Sequence, residues 1–489
     1  MKIGIIGAGP AGLSAAYELV KRGQDVVVFE QDPQFVGGIS RTVEHHGYRF
    51  DLGGHRFFSK SREVENFWED ILGDDLIVRR RISRIFFDGK FYDYPLKPLN
   101  AFRNMGARNT ALCLLDYIRA KSSDPKDIRT FEDWVVFHFG RQLYEMFFKA
   151  YTEKVWGRPC NEISADWAAQ RIKGLNLYSA IKDSFGLSGR SKRKTRNGAV
   201  VKSLIDEFRY PKFGPGMLWE KVASHVTSQG GQIIMGTKVT HILHQDGKIR
   251  SIQTTGVTKE SQTHIFDAVI STMPMRSLVR SLYPEVPHTI KEAAEKLHYR
   301  DFLIVALVVD AASLFPDNWI YIHDPQVKVG RIQNFGNWSS HMLPPRSRTS
   351  CVGMEYFCFE GDGLWSSTDT DLLNLAKNEL SYLGLIGHHP IIDSKVVRVP
   401  KAYPVYDDDY QTHIQSIVDY LRDRASNLQL IGRNGMHRYN NQDHAIMTGF
   451  LAARNLLGEH HDLWAVNGDA EYLEEVNDDR HVPKFLKQA

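Results

Sequence analysis

A chain of 489 residues, 42% hydrophobic and 24% charged, has an ordinary globular composition and room for about three domain-sized units at ~150 residues each. A formal net charge of +3, with basic residues dispersed outside one segment, gives no support to nucleic-acid binding, and no apolar run approaches the ~18 residues of a membrane span. Four cysteines (Cys113, Cys160, Cys351, Cys358) show neither CxxC nor metal-ligand spacing, which predicts reduced thiols in a cytoplasmic protein and no metal site.

The apolar start is broken by glycines and a proline and reads as strand and loop rather than as a leader. Lys2 to Ile6 reads as a buried strand, Gly7-Ala8-Gly9-Pro10-Ala11-Gly12 opens a helix running to Arg22, and Asp25 to Glu30 reads as the next strand. In this βαβ unit Gly7 permits the tight turn, Gly9 lets backbone approach a pyrophosphate and Gly12 lets helix and strand pack closely. The helix N-terminus at Pro10 and Ala11 offers N–H groups to the anion, and Glu30, followed by Gln31, stands where an acid meets a ribose hydroxyl. A second glycine pair, Gly37-Gly38, followed by Ser40 and Arg41, resembles the extended fingerprint of glutathione-reductase-like flavoproteins and points to FAD. Gly53-Gly54-His55 then reads as a turn bringing backbone close to the isoalloxazine ring.

From Tyr94 to Ser188 the pattern is mostly helical: Thr130 to Asp133 resembles a capping box, and Leu143, Phe147 and Ala150 share one face as core. Ser164 opens another helix, with Trp167 and Arg171 on one face. The basic run Arg190 to Arg196 reads as a solvated loop, with a flap attracting an anionic substrate as the sharper alternative. A turn at Phe213 leads into a helix ending near Thr227, then come strands from Gly231 to Leu243, including Val239, with a hairpin turn at Asp246-Gly247. Asp267 to Ser271 adds a buried strand. Phe302 to Asp310, Trp319 to His323, Val327 to Phe335 and Ser350 to Glu360 predict an antiparallel sheet, with Val329, Arg331 and Gln333 on one face. Leu428 to Arg433 returns as a strand, and a helix follows Asn441.

The expected class is therefore α/β. Residues 1–93, 200–299 and 400–458 would form a discontinuous Rossmann-like FAD-binding domain, 94–199 a mostly helical substrate and nucleotide domain, 300–399 an antiparallel sheet domain, and 459–489 a C-terminal tail.

Six separated motifs resemble the UDP-galactopyranose mutases, particularly their longer, eukaryotic-like branch. Gly53-Gly54-His55 with Phe57-Phe58-Ser59 is similar to the mobile histidine loop beside the flavin, and Tyr94-Pro95-Leu96-Lys97 to the uridine-binding loop. Lys154-Val155-Trp156 followed by Arg171 resembles the substrate-site tryptophan and arginine, and Tyr321 with Arg331 the diphosphate-binding pair. Tyr403 resembles the other diphosphate tyrosine, and Gly432-Arg433 through Tyr439 to Asn441-Gln442-Asp443-His444 the C-terminal flavin signature. Two forked guanidinium groups among tyrosine hydroxyls suit the two charges of a nucleotide-sugar diphosphate.

The resemblance implies a nucleotide-sugar mutase in which reduced FAD, with NAD(P)H as reductant, acts through N5 as nucleophile on the anomeric carbon, interconverting pyranose and furanose forms without net redox change. It implies Arg171 and Arg331 as stabilisers of the leaving diphosphate, and His55 as a hydrogen-bonding group near the flavin, or else only a cap of the glycine turn. Lys97 stands where the longer mutases carry glutamine, Thr152 where they carry asparagine, and the Tyr439–Asn441 segment is two residues shorter; base and sugar stay open, as does a homo-oligomer. The alternatives are an FAD oxidoreductase of the amine oxidase, protoporphyrinogen oxidase or desaturase type, and a non-catalytic FAD-holding scaffold.

Overall fold

The computed structural model describes residues 1–94, 96–120, 128–165, 207–407 and 409–467. Pro95, Trp167, Arg171 and the 190–196 basic run lie outside the described residues.

A five-stranded parallel sheet runs in the order Leu428–Leu430, Ala268–Ser271, Lys2–Ile6, Asp25–Phe29, Gln232–Ile234, so it is assembled from three distant stretches of chain. Its central strands are apolar on both faces because both are covered. Ile3, Ile5, Val26 and Val28 pack beneath the helices Pro10–Val20, Gly216–Ser228 and Gln442–Leu456. Ile6, Val27, Phe29 and Val269 pack on the other side, against the hairpin Lys238–Gln245/Lys248–Thr255 and the helix Tyr410–Arg424. The hairpin turns at Asp246 and Gly247, both with positive φ, as its Asp-Gly pair predicts.

A seven-stranded sheet has the order Ile391–Pro404, Tyr299–Val309, Ser350–Cys358, Arg331–Asn334, Trp319–Ile322, Ser83–Phe87, Lys90–Asp93. Every neighbouring pair is antiparallel except Trp319–Ile322 with Ser83–Phe87. Two strands of this sheet therefore precede residue 94, and Ile391–Pro404 runs across the 399/400 boundary expected from sequence. Leu303, Val305 and Leu307 face the helix Asp369–Tyr382, whereas Phe302, Ile304 and Ala306 face Phe50, Leu52 and Tyr210 on the cofactor side. One strand differs from expectation: Val327 to Gly330 form no strand, and pairing begins at Arg331. Glu379 accepts from the amides of Lys328 and Val329, which takes their donors out of any ladder.

Helices Pro98–Ala120, Phe131–Phe139 and Ala150–Trp156 build the helical layer, with a π turn at Glu145–Lys149 leading into the last of them. Thr130 and Asp133 form the expected capping box, and Leu143 and Phe147 lie in the core. Of the tail, residues 459–467 are described and contain one 3₁₀ turn, Leu463–Ala465, which buries Leu463.

Candidate active site

The first part of the site is a backbone cradle. Helix Pro10–Val20 starts at Gly9 with no side-chain cap and no acid in its first turn, leaving its amides to a ligand. Gly38 takes φ +55, a conformation that favours glycine, and lies against Gly9, whose Cα a Cβ on Gly38 would meet at 3.4 Å. Glu30 is buried at the strand end, its Oε2 accepting from the Ala8 amide at 2.7 Å and its Oε1 from that of Asp32 at 2.9 Å. Burial raises its pKa, which these bonds counter. Gln31 is exposed beside it, Arg41 pairs with Asp32, and Val239 offers only backbone because its side chain is in the core. Ser40 donates to Gln442 Oε1, leaving Gln442 Nε2 buried without a partner among the described residues. Uncapped amides, two adjoining glycines, a buried acid and an unpartnered amide fit an FAD.

An open cleft continues from the cradle, lined by Gly53, Gly54, His55, Arg331, Tyr403, Arg433, Tyr439, Asn441 and Gln442. Predicted residues from four separate stretches thus meet in one place. Asn441 caps the helix Gln442–Leu456, with His444 closing a capping box, which brings the helix start to the cleft wall. Gly432 keeps φ +75 against Ala11 of the first helix, joining the C-terminal segment to the cradle. Gly53 turns at φ +98, and the His55 ring folds back so that Nε2 donates to the Leu52 carbonyl at 3.1 Å. Burial lowers the His55 pKa to about 4, so the ring is neutral at pH 7. His55 caps the glycine turn while remaining in the cleft wall.

Arg331 sits directly across the ladder from Glu355, and its Nε and Nη2 donate to Glu355 Oε2 at 2.8 and 2.6 Å. Gln333 Nε2 donates to the other Glu355 oxygen. Burial alone would lower the Arg331 pKa, but the Glu355 charge raises it well above the ordinary value. The guanidinium is fixed and charged, with Nη1 making no hydrogen bond among the described residues.

Around it stand two groups of rings. Tyr403 and Tyr439 stack at 5.5 Å, with the Arg433 guanidinium 5.3 and 4.8 Å from their centroids. Arg433 is itself held by the carbonyls of Asn440 and Ala402, each at 2.9 Å, and Trp156 borders Tyr439. On the other side Tyr321 meets Tyr94 edge-on at 4.9 Å and Tyr151 at 5.4 Å. The hydroxyls of Tyr151, Tyr321 and Tyr403 make no hydrogen bond among the described residues. Leu96 packs against the helical core, whereas Lys97 is 73% exposed and faces Asp93 at 3.5 Å.

Several residues with a part in this arrangement escaped the sequence reading. Glu355 had a signal, a lone acid inside the buried strand SCVGMEYFC, which requires a cation. Tyr151 had none. Lys154 donates from Nζ to the carbonyls of Ile322 (3.2 Å), Asp324 (2.5 Å) and Val329 (3.2 Å), so its three N–H bonds clamp the loop between Tyr321 and Arg331. Arg300 in turn donates to the carbonyls of Val155 (3.0 Å) and Lys154 (3.2 Å), fixing the end of the helix that carries Lys154 and Trp156. These bonds span 145 to 175 residues, beyond any local pattern.

The chain has a TM-score of 0.79 to a crystal structure of reduced UDP-galactopyranose mutase, at 21% identity over 97% of this chain and 99% of that one, which establishes the fold. In sequence it is similar to protoporphyrinogen oxidase 2, chloroplastic/mitochondrial, of Arabidopsis thaliana, 22% identical over 85% of this chain and 86% of that protein. A "probable UDP-galactopyranose mutase" of Klebsiella pneumoniae is 28% identical over 33% of this chain and 42% of its own length. The model of the flavin containing amine oxidoreductases matches residues 10–457, and with it FAD is the implied cofactor of the cradle. The chain belongs to the flavin containing amine oxidoreductase family.

Proposed function

We propose that the protein is a nucleotide-sugar mutase of the UDP-galactopyranose mutase type, interconverting pyranose and furanose forms of a UDP-sugar. The observation that carries this reading is Arg331: a charged guanidinium locked on Glu355, with one nitrogen left over, close to Tyr151 and Tyr403 and across the ladder from Tyr321. A locked donor set of this kind suits an oxyanion that departs and returns. It offers little to an uncharged carotenoid.

FAD reduced by NAD(P)H would supply a nucleophile at the flavin ring and recover its starting redox state at the end of the cycle. The chain's own residues do the rest. Arg331, with Tyr321 and Tyr403, holds the diphosphate as charge develops on it, and the Tyr439 and Trp156 rings wall the sugar. Tyr94 and Leu96 take the base, and Arg171 serves as the second cation. Neutral His55 holds the glycine turn through Leu52.

An oxidoreductase reading is favoured by the family model, that of the flavin containing amine oxidoreductases, and by the plant protoporphyrinogen oxidase, which aligns over 85% of this chain against 33% for the mutase of Klebsiella. Oxygen uptake separates the two. The reduced protein is given a panel of nucleotide-sugars without oxygen and, in parallel, the oxidised protein is given protoporphyrinogen and amines in air. Isomerised sugar without oxygen uptake supports the mutase, and oxygen uptake with an amine or porphyrinogen and no isomerisation supports the oxidoreductase.

A further inference from the structure

Away from the cleft, the tip of the hairpin Thr42–His45/Tyr48–Asp51 touches the start of the edge strand Ile391–Pro404. There His45 Nε2 lies 3.2 Å from Asp393 Oδ1, and His46 Nδ1 lies 2.8 Å from Asp393 Oδ2. All three ligand atoms fall within 4.8 Å of one another. Adjacent residues of a strand normally point to opposite faces. Here His46 takes φ +50, unusual for a residue with a side chain, and its ring comes round to lie 4.0 Å from that of His45. Asp393 follows a register irregularity at Ile392, where the edge strand re-aims its side chains. Two departures from regular backbone, on elements about 350 residues apart, thus converge two imidazoles on one carboxylate.

The geometry points to a divalent transition-metal site at His45, His46 and Asp393, of the chemistry that suits Zn²⁺. Two imidazole nitrogens and a carboxylate oxygen, with the fourth position left to water, match zinc, whereas Mg²⁺ and Ca²⁺ prefer all-oxygen shells. Coordination requires His45 Nε2 and His46 Nδ1 as lone pairs, so each ring carries its remaining proton on the other nitrogen and the two hydrogen bonds to Asp393 give way to metal bonds. The ion would join the hairpin that runs into the Gly53 turn to the strand that ends near Tyr403. It would act as a staple, with no part in the reaction.

The test uses full-length, FAD-loaded protein titrated with Zn²⁺ against a chromogenic chelator read outside the flavin bands, with thermal midpoints recorded in parallel. The wild type is expected to take up one Zn²⁺ and to melt at a higher temperature with it, while Mg²⁺ leaves the midpoint unchanged. His46→Gly suits the positive φ and so keeps the fold; Asp393→Asn keeps the shape of the side chain. Each is expected to bind zinc at least ~10-fold more weakly, since even outer partners of a metal site carry that much. Flavin absorbance should be unchanged in both. No uptake by the wild type, or uptake that neither substitution weakens, overturns the assignment.

Discussion

Arg331→Ala is expected to damage stability and turnover by two separable routes. Removing the guanidinium leaves Glu355, fully buried, with Gln333 as its one remaining hydrogen-bond donor among the described side chains. Breaking a buried ion pair from one side costs about 3–5 kcal/mol, because the surviving charge stays desolvated. Adding Glu355→Gln removes that charge while keeping an acceptor for Gln333, so the double variant should recover most of the loss. Turnover should recover in neither, since an oxyanion-stabilising donor is typically worth about 10²–10³ in rate. Denaturant unfolding at fixed FAD concentration reads the first effect, and steady-state isomerisation by the reduced enzyme reads the second. Arg331→Ala as stable as wild type would refute the buried-pair account. Turnover restored along with stability in the double variant would refute Arg331 as a substrate ligand.

Lys154→Met should loosen the loop between Tyr321 and Arg331 and lower turnover while FAD absorbance stays near normal; an unchanged rate would deny the clamp a role. Burial lowers the Lys154 pKa from 10.5 to about 8, with Glu379 and Asp324 opposing. The unfolded chain therefore binds the extra proton between about pH 8 and 10.5, and wild type should gain stability across that window as pH rises, a slope that Lys154→Met lacks. For His55 the folded pKa of about 4 lies below the ordinary 6.5, so its contribution is full above pH 6.5 and is lost as pH falls toward 4; His55→Gln should flatten that part of the stability profile. Gly38→Ala would put a side chain at φ +55 beside Gly9 and strain the loop, so the purified variant should carry less FAD by visible absorbance, and full occupancy would contradict the cradle as described.

What the sequence made legible was set by short-range chemistry. The glycine fingerprint, the Thr130–Asp133 capping box and the Asp246-Gly247 turn each depend on residues a few positions apart, and each folds as its spacing implies. The strand expected from Val327 failed because its apolar residues sit in a loop whose carbonyls answer to Lys154 and whose amides answer to Glu379. No window of local sequence contains those partners. In the cleft, Arg331, Tyr403 and Tyr439 were found as residue types suited to a diphosphate, while the groups that aim them were hidden. Glu355 left a trace as an acid in an apolar strand, Lys154 entered only as a member of the Lys154-Val155-Trp156 motif with no sign of its clamping role, and Arg300 left none. The His45–His46–Asp393 cluster was invisible for the same reason, since its geometry depends on one left-handed residue and one strand irregularity far apart in the chain.

The most direct test of the central claim is to incubate the dithionite-reduced protein anaerobically with UDP-galactopyranose and, separately, UDP-galactofuranose, resolving the products by chromatography while following the flavin spectrum. The account predicts the same pyranose–furanose mixture from either side, with the flavin still reduced at the end. No interconversion from either side, with the flavin still fully reduced, would contradict it.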